Sequence, residues 1–263
     1  MASQAKDKPA TRKKSRAKSR MRLDLLLVAR GLAENRSRAQ ALIMAGQVHG
    51  PDRRLDKAGQ EMPIDADLTV RGREHPWVSR GGVKLAHGLA EFGISPAGLI
   101  CLDVGASTGG FTDVLLQGGA AKVYAVDVGH GQLAWSLRQN DRVVVLERTN
   151  ARYLSRAEVP DAIDLIVCDA SFIGLRTVLP GPMALAAPGA ALIALIKPQF
   201  EVGPGQVGKG GVVRDPALHD EVRSGIAAWL AQQPGWSVLG TATSPIKGPQ
   251  GNVEFLIAGR KQG

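Results

Sequence analysis

The chain has only two cysteines among 263 residues, too few for a disulfide framework and without the spacing of a zinc site. Cys101 and Cys168 each sit in an apolar run of strand length, so buried structural thiols are expected, compatible with a reducing, cytoplasmic setting. Long apolar runs are also missing. The longest, Met183 to Ile196, is shorter than a bilayer span and is broken by Pro188 and Gly189, which argues against a membrane protein. The N-terminal stretch has no apolar segment of the kind that directs secretion. Acidic residues are scarce in the first 22 positions, where Asp7 stands alone against nine Lys/Arg. The dinucleotide spacing G-x-G-x-x-G is absent from the turn at 105–110, where position 107 is Ser.

The net charge is +9, and residues 1–22 carry +8 of it, so the remainder is nearly neutral. A Lys/Arg/Ser/Ala arm over residues 1–20 cannot build a core and is expected to be disordered. Such an arm suits a polyanion, most directly nucleic acid, or serves only as a solvated tail. Hydrophobic residues make up 44%, enough for a substantial core in one large or two modest domains.

The stretch Ile100-Cys-Leu-Asp-Val-Gly-Ala-Ser-Thr-Gly-Gly-Phe111 organises the rest. A strand-length run leads through Gly105, Gly109 and Gly110 into a helix-like segment, Phe111 to Leu116. A glycine turn between strand and helix lets a ligand approach the backbone, with free N–H groups facing it. Asp103 would repel a pyrophosphate and favours a ligand with a positive group, as S-adenosylmethionine has.

Residues 21–75 read as a small α+β module. Leu23, Leu26, Leu27 and Arg30 suggest a helix ended by Gly31, and Ser37-Arg-Ala-Gln40 reads as the capping box of a second, stopping at Gly46. Val48, Leu55 and Leu68-Thr-Val70 suggest short strands. Arg30, Arg36, Arg38, Arg53, Arg54 and Lys57 are candidates for one basic face. Residues 76–82 have the Pro and Gly punctuation of a linker, and a helix is expected over Val83 to Phe92. Lys84, near its start, is poorly placed for the helix dipole, a local conflict of the kind found at functional positions.

From there strands and helices alternate. Strands are expected at Lys122–Val126, Val143–Leu146, Ile163–Cys168, Ala190–Ile196, Val238–Ala242 and Val253–Ala258, with helices at Gln132–Arg138 and Pro216–Gln233. The fold class is α/β, a doubly wound and mostly parallel sheet whose ligands gather beyond the carboxyl ends of the strands. Asp103, Asp127, Asn150, Asp169 and Lys197 all fall at such ends. Asp127 is placed to accept hydrogen bonds from ribose hydroxyls, and Asn150 suits an adenine edge. Lys197 closes an apolar strand. To act as a base near neutral pH its pKa must fall well below the usual ~10.4.

These motifs resemble a known family. Asp103-Val-Gly-Ala-Ser-Thr-Gly-Gly-Phe111, Ala125-Val-Asp-Val-Gly129, Glu147-Arg-Thr-Asn-Ala-Arg152, Asp169-Ala-Ser-Phe-Ile173, Ile196-Lys-Pro-Gln-Phe-Glu201, Lys209-Gly-Gly-Val-Val-Arg-Asp215 and Gly251-Asn-Val-Glu254 are similar to those of the TlyA (haemolysin A-like) proteins, which belong to the FtsJ/RrmJ-type methyltransferases. Arg22-Leu-Asp24, Arg36-Ser37-Arg38-Ala-Gln40 and Ala45-Gly46-Gln-Val48 resemble the small RNA-binding domain of a ribosomal protein. The resemblance implies a Rossmann-like methyltransferase domain over 83–263, with a seven-stranded sheet, behind an S4-like domain at 21–75. It implies S-adenosylmethionine-dependent methylation of the cytidine 2′-hydroxyl in ribosomal RNA. Lys84, Asp169, Lys197 and Glu254 are the implied catalytic set. Asp103, Gly105, Ala106, Ser107, Gly109, Gly110, Phe111, Asp127, Val128, Asn150 and Asp169 are the implied cofactor contacts. Arg22, Arg30, Arg36, Arg38, Lys57 and Arg80 are the implied RNA contacts. Trp77-Val-Ser-Arg80 matches the interdomain segment, and no metal is called for. The competing readings are a catalytically silent RNA-binding assembly factor, a membrane-active haemolysin, and a methyltransferase for another RNA.

Overall fold

The computed structural model describes residues 20–33, 35–70 and 75–263. The basic arm expected over 1–20 lies outside the described residues except for Arg20. The chain divides into two compact units, Met1–Glu74 and His75–Gly263.

The first unit contains β1 (Arg20–Arg22), α1 (Leu23–Ala29), α2 (Arg36–Met44), β2 (Val48–His49), β3 (Glu61–Pro63) and β4 (Thr69–Val70). β1 pairs antiparallel with β3, and β2 with β4. The pairing of β1 with β3 was not expected, because each strand is only three residues long, with methionine as its one large apolar side chain. Leu23, Leu26, Leu27, Ala39, Leu42, Ile43 and Val48 form the core between the helices and the two small sheets. Gly31 and Gly46 adopt φ +67 just past the two helices, the left-handed conformation that glycine takes at lowest cost. The capping assignment needs correction. Asn35 is the N-cap of α2, and its side chain accepts a hydrogen bond from Arg38 N at 2.9 Å. Ser37 therefore lies inside the helix.

The second unit holds α3 (Gly81–Glu91), β5 (Ile100–Val104), α4 (Gly110–Gln117), β6 (Lys122–Val126), α5 (Trp135–Arg138), β7 (Val143–Leu146) and β8 (Ile163–Cys168). It continues with α6 (Leu175–Val178), α7 (Pro180–Ala184), β9 (Ala186–Ile196), α8 (Pro198–Glu201), α9 (Pro216–Ala231), β10 (Trp236–Thr243) and β11 (Phe255–Lys261). The seven strands form one sheet in the order β10-β11-β9-β8-β5-β6-β7. β5 to β9 are parallel, and β11 runs antiparallel to both β9 and β10. The strand order reverses at β5, between β8 and β6, which opens a crevice at the carboxyl ends of those strands.

Alternation along each strand feeds two cores. Leu102, Val104, Tyr124, Val126 and Ile166 face one layer; Cys101, Val123, Ala125 and Val167 face the other with Leu85, Phe111 and Leu115. Each fully buried Leu or Ile contributes about 1.5–3 kcal/mol, so the sheet is a rigid platform for what lies at its rim. Both cysteines are buried, which pushes their thiols up to about 12 and leaves them inert.

Several boundaries differ from the sequence reading; β11, for one, begins at Phe255 rather than Val253. α3 starts at Gly81, so the end of the expected linker is helical, and Val78 N donates to Asp113 Oδ2 at 2.8 Å. The helix expected from Gln132 is confined to Trp135–Arg138. β9 begins at Ala186 and runs through Pro188 and Gly189, where its register against β8 shifts. An irregular register removes the ladder bond that proline cannot make.

Candidate active site

Two adjoining clefts lie at the carboxyl rim of the sheet. One, of about 300 Å³, is walled by Arg80, Lys84, the 105–111 turn, Asp169, Ser171 and Lys197. The other, of about 540 Å³, is walled by Asp127, Val128, Asn150, Phe172 and neighbouring residues. Gly105, Ser107, Asp169 and Ser171 line both.

The four implied catalytic residues come together. Lys84 projects from the second turn of α3, and its Nζ lies 2.6 Å from Glu254 Oε2 and 3.9 Å from Asp169 Oδ2. Lys197 follows β9 directly. Its Nζ lies 2.6 Å from Asp169 Oδ1, off the line of a hydrogen bond, and donates to Asp169 O at 3.1 Å and Ser171 Oγ at 2.8 Å. The two lysines and Glu254 are buried, while Asp169 is partly open. Asp169 thus stands between two ammonium groups. Glu254 is not on a cleft wall; it acts on the site through Lys84.

The glycine turn matches the sequence reading only in part. Four of the N–H groups expected to face a ligand are satisfied within the fold. Gly105 and Ala106 donate to Val126 O, Gly109 to Ala106 O, and Ser107 to Asp127 Oδ2 at 2.8 Å. The glycines also serve shape. Gly105, at φ +83, brings the turn against Ala170, where a Cβ would lie 3.0 Å from backbone. Gly110 lets Ser79 approach, since a Cβ there would meet Ser79 Oγ at 2.3 Å. Gly109 faces Leu133 and Leu137 rather than either cleft. Gly110, Phe111, Ala106 and Ser107 do line the smaller cleft.

Asp103 is placed otherwise than expected. It shares the strand face of Cys101 and is fully buried behind the turn, outside both cleft walls. Thr112 Oγ1 donates to its Oδ2 at 2.7 Å, while Oδ1 has no hydrogen-bond partner among the described residues. Burial raises its pKa to about 7, against the opposing Thr112 hydrogen bond. Asp127 already accepts from Ser107 N and Gly129 N, one on each oxygen. Each carboxylate oxygen still has a lone pair for a ligand hydroxyl. Asn150 caps a short turn through Arg152 N at 3.1 Å and keeps its place on the larger cleft.

Three contributors were missed in the sequence. Ser171 holds Lys197, and only its place two residues past a strand-end aspartate hinted at this. Gly248 is required by Glu254, because a Cβ at 248 would sit 2.0 Å from Glu254 Oε1. Phe172 is 90% exposed, with φ +64, and its ring tilts against Phe200 at 5.2 Å. A bulky side chain in that backbone region is strained, and such strain gathers at ligand sites.

In the first unit, Arg22 and Arg36 both engage Asp24, while Arg38 and Lys57 are exposed. Arg30 is exposed, but its guanidinium is engaged: it donates to Ile64 O and Ala66 O, so it braces a turn. Arg80, in the second unit, lines the smaller cleft.

Residues 77–261 match the FtsJ-like methyltransferase family, and residues 21–49 match the S4 domain. The 16S/23S rRNA (cytidine-2′-O)-methyltransferase TlyA of Mycobacterium tuberculosis is 52% identical over 250 residues, covering 92% of this chain and 91% of that protein. Hemolysin A of Brachyspira hyodysenteriae is 40% identical, covering 90% of this chain and 98% of its own. A solved chain from Streptococcus thermophilus, titled as a hemolysin, superposes with a TM-score of 0.72 at 42% identity, covering 94% of this chain and 90% of that one. A two-lysine, two-carboxylate cluster at the switch point of a seven-stranded sheet, matched over most of its length by these relatives, places the chain in the TlyA family of FtsJ-like methyltransferases.

Proposed function

We propose that this protein methylates the ribose 2′-hydroxyl of cytidine in ribosomal RNA, with S-adenosylmethionine as methyl donor. The carrying observation is the paired arrangement Glu254–Lys84 and Asp169–Lys197 at one cleft, beside a second cleft large enough for a nucleoside.

The residues fit that donor. Asp127 and Asn150 on the larger cleft suit a ribose and an adenine edge, with Val128 beside them. The turn at 105–111 suits the methionine part, with the unpartnered Asp103 Oδ1 supplying negative charge from behind. When bound, S-adenosylmethionine supplies an electrophilic methyl carbon on a positively charged sulfur.

The chain's own residues then have defined tasks. An ammonium has three donors, and Lys197 directs its own at Asp169 and Ser171. A ribose hydroxyl entering the cleft takes the place of one of these partners, which fixes its oxygen beside the Lys197–Asp169 pair. The Asp169 carboxylate, held by Lys197, takes up the hydroxyl proton as the methyl group moves to oxygen, its bond to sulfur breaking to leave a neutral thioether, and the proton passes on to water. Positioned proton transfer of this kind contributes roughly 10²–10⁴-fold. Lys84, anchored by Glu254, keeps the Asp169 carboxylate oriented. Phe172 offers an exposed ring on which an unstacked base can rest. The S4 domain grips the RNA backbone, and work on ribosomal RNA belongs in the cytoplasm.

Mapping 2′-O-methyl groups in ribosomal RNA from cells with and without the gene tests this reading. One or more cytidine methylations should vanish with the gene and return with the wild-type chain. An unchanged map, or a loss of methyl groups confined to transfer RNA, would contradict it.

A further inference from the structure

Asp24 is a fully buried carboxylate beside Leu23, Leu26 and Leu27, the core of the first unit. A charge in such a place persists only if its oxygens are well satisfied. Oδ1 accepts from Leu25 N at 3.0 Å and Arg22 Nε at 3.1 Å. Oδ2 accepts from Arg22 Nη2 at 2.9 Å, Arg36 Nε at 3.0 Å and Gln40 Nε2 at 3.1 Å. The Arg22 hydrogen bond, aided by those from Gln40 and Arg36, outweighs burial and holds the carboxyl well below its usual range.

The two arginines arrive from different elements, Arg22 from the end of β1 and Arg36 from the start of α2. One carboxylate thus sets two guanidiniums side by side that would otherwise repel. Their side chains stay 43% and 56% exposed. Arg22 donates to Asp24 through Nε and Nη2, and Arg36 through Nε alone. Gly59 leaves room over the Arg22 fork, where a Cβ would lie 3.3 Å from Nη1. The remaining Nη donors are held at fixed spacing with a net positive charge, the geometry that suits phosphate oxygens.

We propose that Asp24 is a positioning residue for RNA binding, which aligns Arg22 and Arg36 as a two-pronged grip on the phosphate backbone. The proposal rests on the reading that the S4 domain holds RNA, and it reverses a simple expectation. Deleting a negative charge beside an RNA-binding face ordinarily tightens binding. Deleting this one loosens it, because the arginines lose their alignment.

The test is binding of a fluorescently labelled ribosomal RNA stem-loop to the full chain over a salt series. Asp24→Asn should weaken binding by about tenfold, the scale of a missing charge-assisted hydrogen bond. Its salt slope should fall toward that of Arg22→Ala/Arg36→Ala, by about 1 for each phosphate no longer gripped. Added to the double-alanine variant, Asp24→Asn should change nothing further. An equal weakening in both backgrounds marks a merely structural role and overturns the proposal. So does unchanged or tighter binding by Asp24→Asn beside a weak double-alanine variant, an outcome that leaves the RNA grip standing. Wild-type affinity in the double-alanine variant overturns the grip and the proposal together. Should thermal melting show that Asp24→Asn unfolds the first unit, Arg22→Lys/Arg36→Lys replaces it, keeping charge while removing the fork. Weakened binding then supports the proposal, and wild-type affinity overturns it.

Discussion

Lys84 and Glu254, 170 positions apart in sequence, meet as a buried ion pair at 2.6 Å, with side chains 7% and 0% exposed. Removing either partner strands the other charge in the interior, which costs about 3–5 kcal/mol. Lys84→Met and Glu254→Leu should each lower the melting temperature clearly, whereas the double variant should recover most of it. Methyl transfer should stay abolished in all three, because Asp169 lacks its second cation without Lys84, and Lys84 loses its anchor without Glu254. Thermal unfolding and a methyl-transfer assay on the same preparations check both halves.

Gly248 gives a sharper test of geometry. Its missing side chain leaves the space that the Glu254 carboxylate fills, with a Cβ position only 2.0 Å from Oε1. Gly248→Ala should push Glu254 aside and misalign Lys84. A displacement of about 1 Å can cost on the order of 10²-fold in rate. kcat should fall on that scale while RNA affinity is kept, as measured by steady-state kinetics and direct binding.

Asp103 sets a pH dependence. Its folded pKa, raised by burial to about 7, lies above the ~3.9 of an unfolded aspartate. Between those values the folded chain holds a proton that the unfolded chain has released. Stability therefore falls as pH rises from about 4 to about 7. Urea unfolding across that range should show this slope, and Asp103→Asn should flatten it. A positively charged ligand near the carboxylate favours its ionised form. S-adenosylmethionine affinity, measured by calorimetry, should accordingly rise with pH through about 7 in the wild type and not in Asp103→Asn.

The sheet was legible because its strands are apolar runs closed by polar residues. Asp127, Asn150, Asp169 and Lys197 at those ends do meet at one rim. Lys84 was visible as a cation in the wrong turn of a helix, a conflict that its pairing with Glu254 resolves. What escaped depends on distances between remote segments. No local pattern says that Gly248 makes room for Glu254, or that Asp103 is sealed behind its own turn. Glycine spacing suggested free N–H groups, yet Val126 O and Asp127 Oδ2 claim those of Gly105, Ala106 and Ser107. Asn35 outcompeted Ser37 as the helix cap because it stands one residue ahead of the first helical turn.

The most direct measurement is methyl transfer to ribosomal subunits by Lys197→Ala, with RNA and S-adenosylmethionine binding measured alongside. Lys197 is the group whose Nζ touches both Asp169 and Ser171 at the cleft. Transfer should drop by roughly 10²–10⁴-fold with both affinities near wild type. Turnover by Lys197→Ala at the wild-type rate would contradict the account.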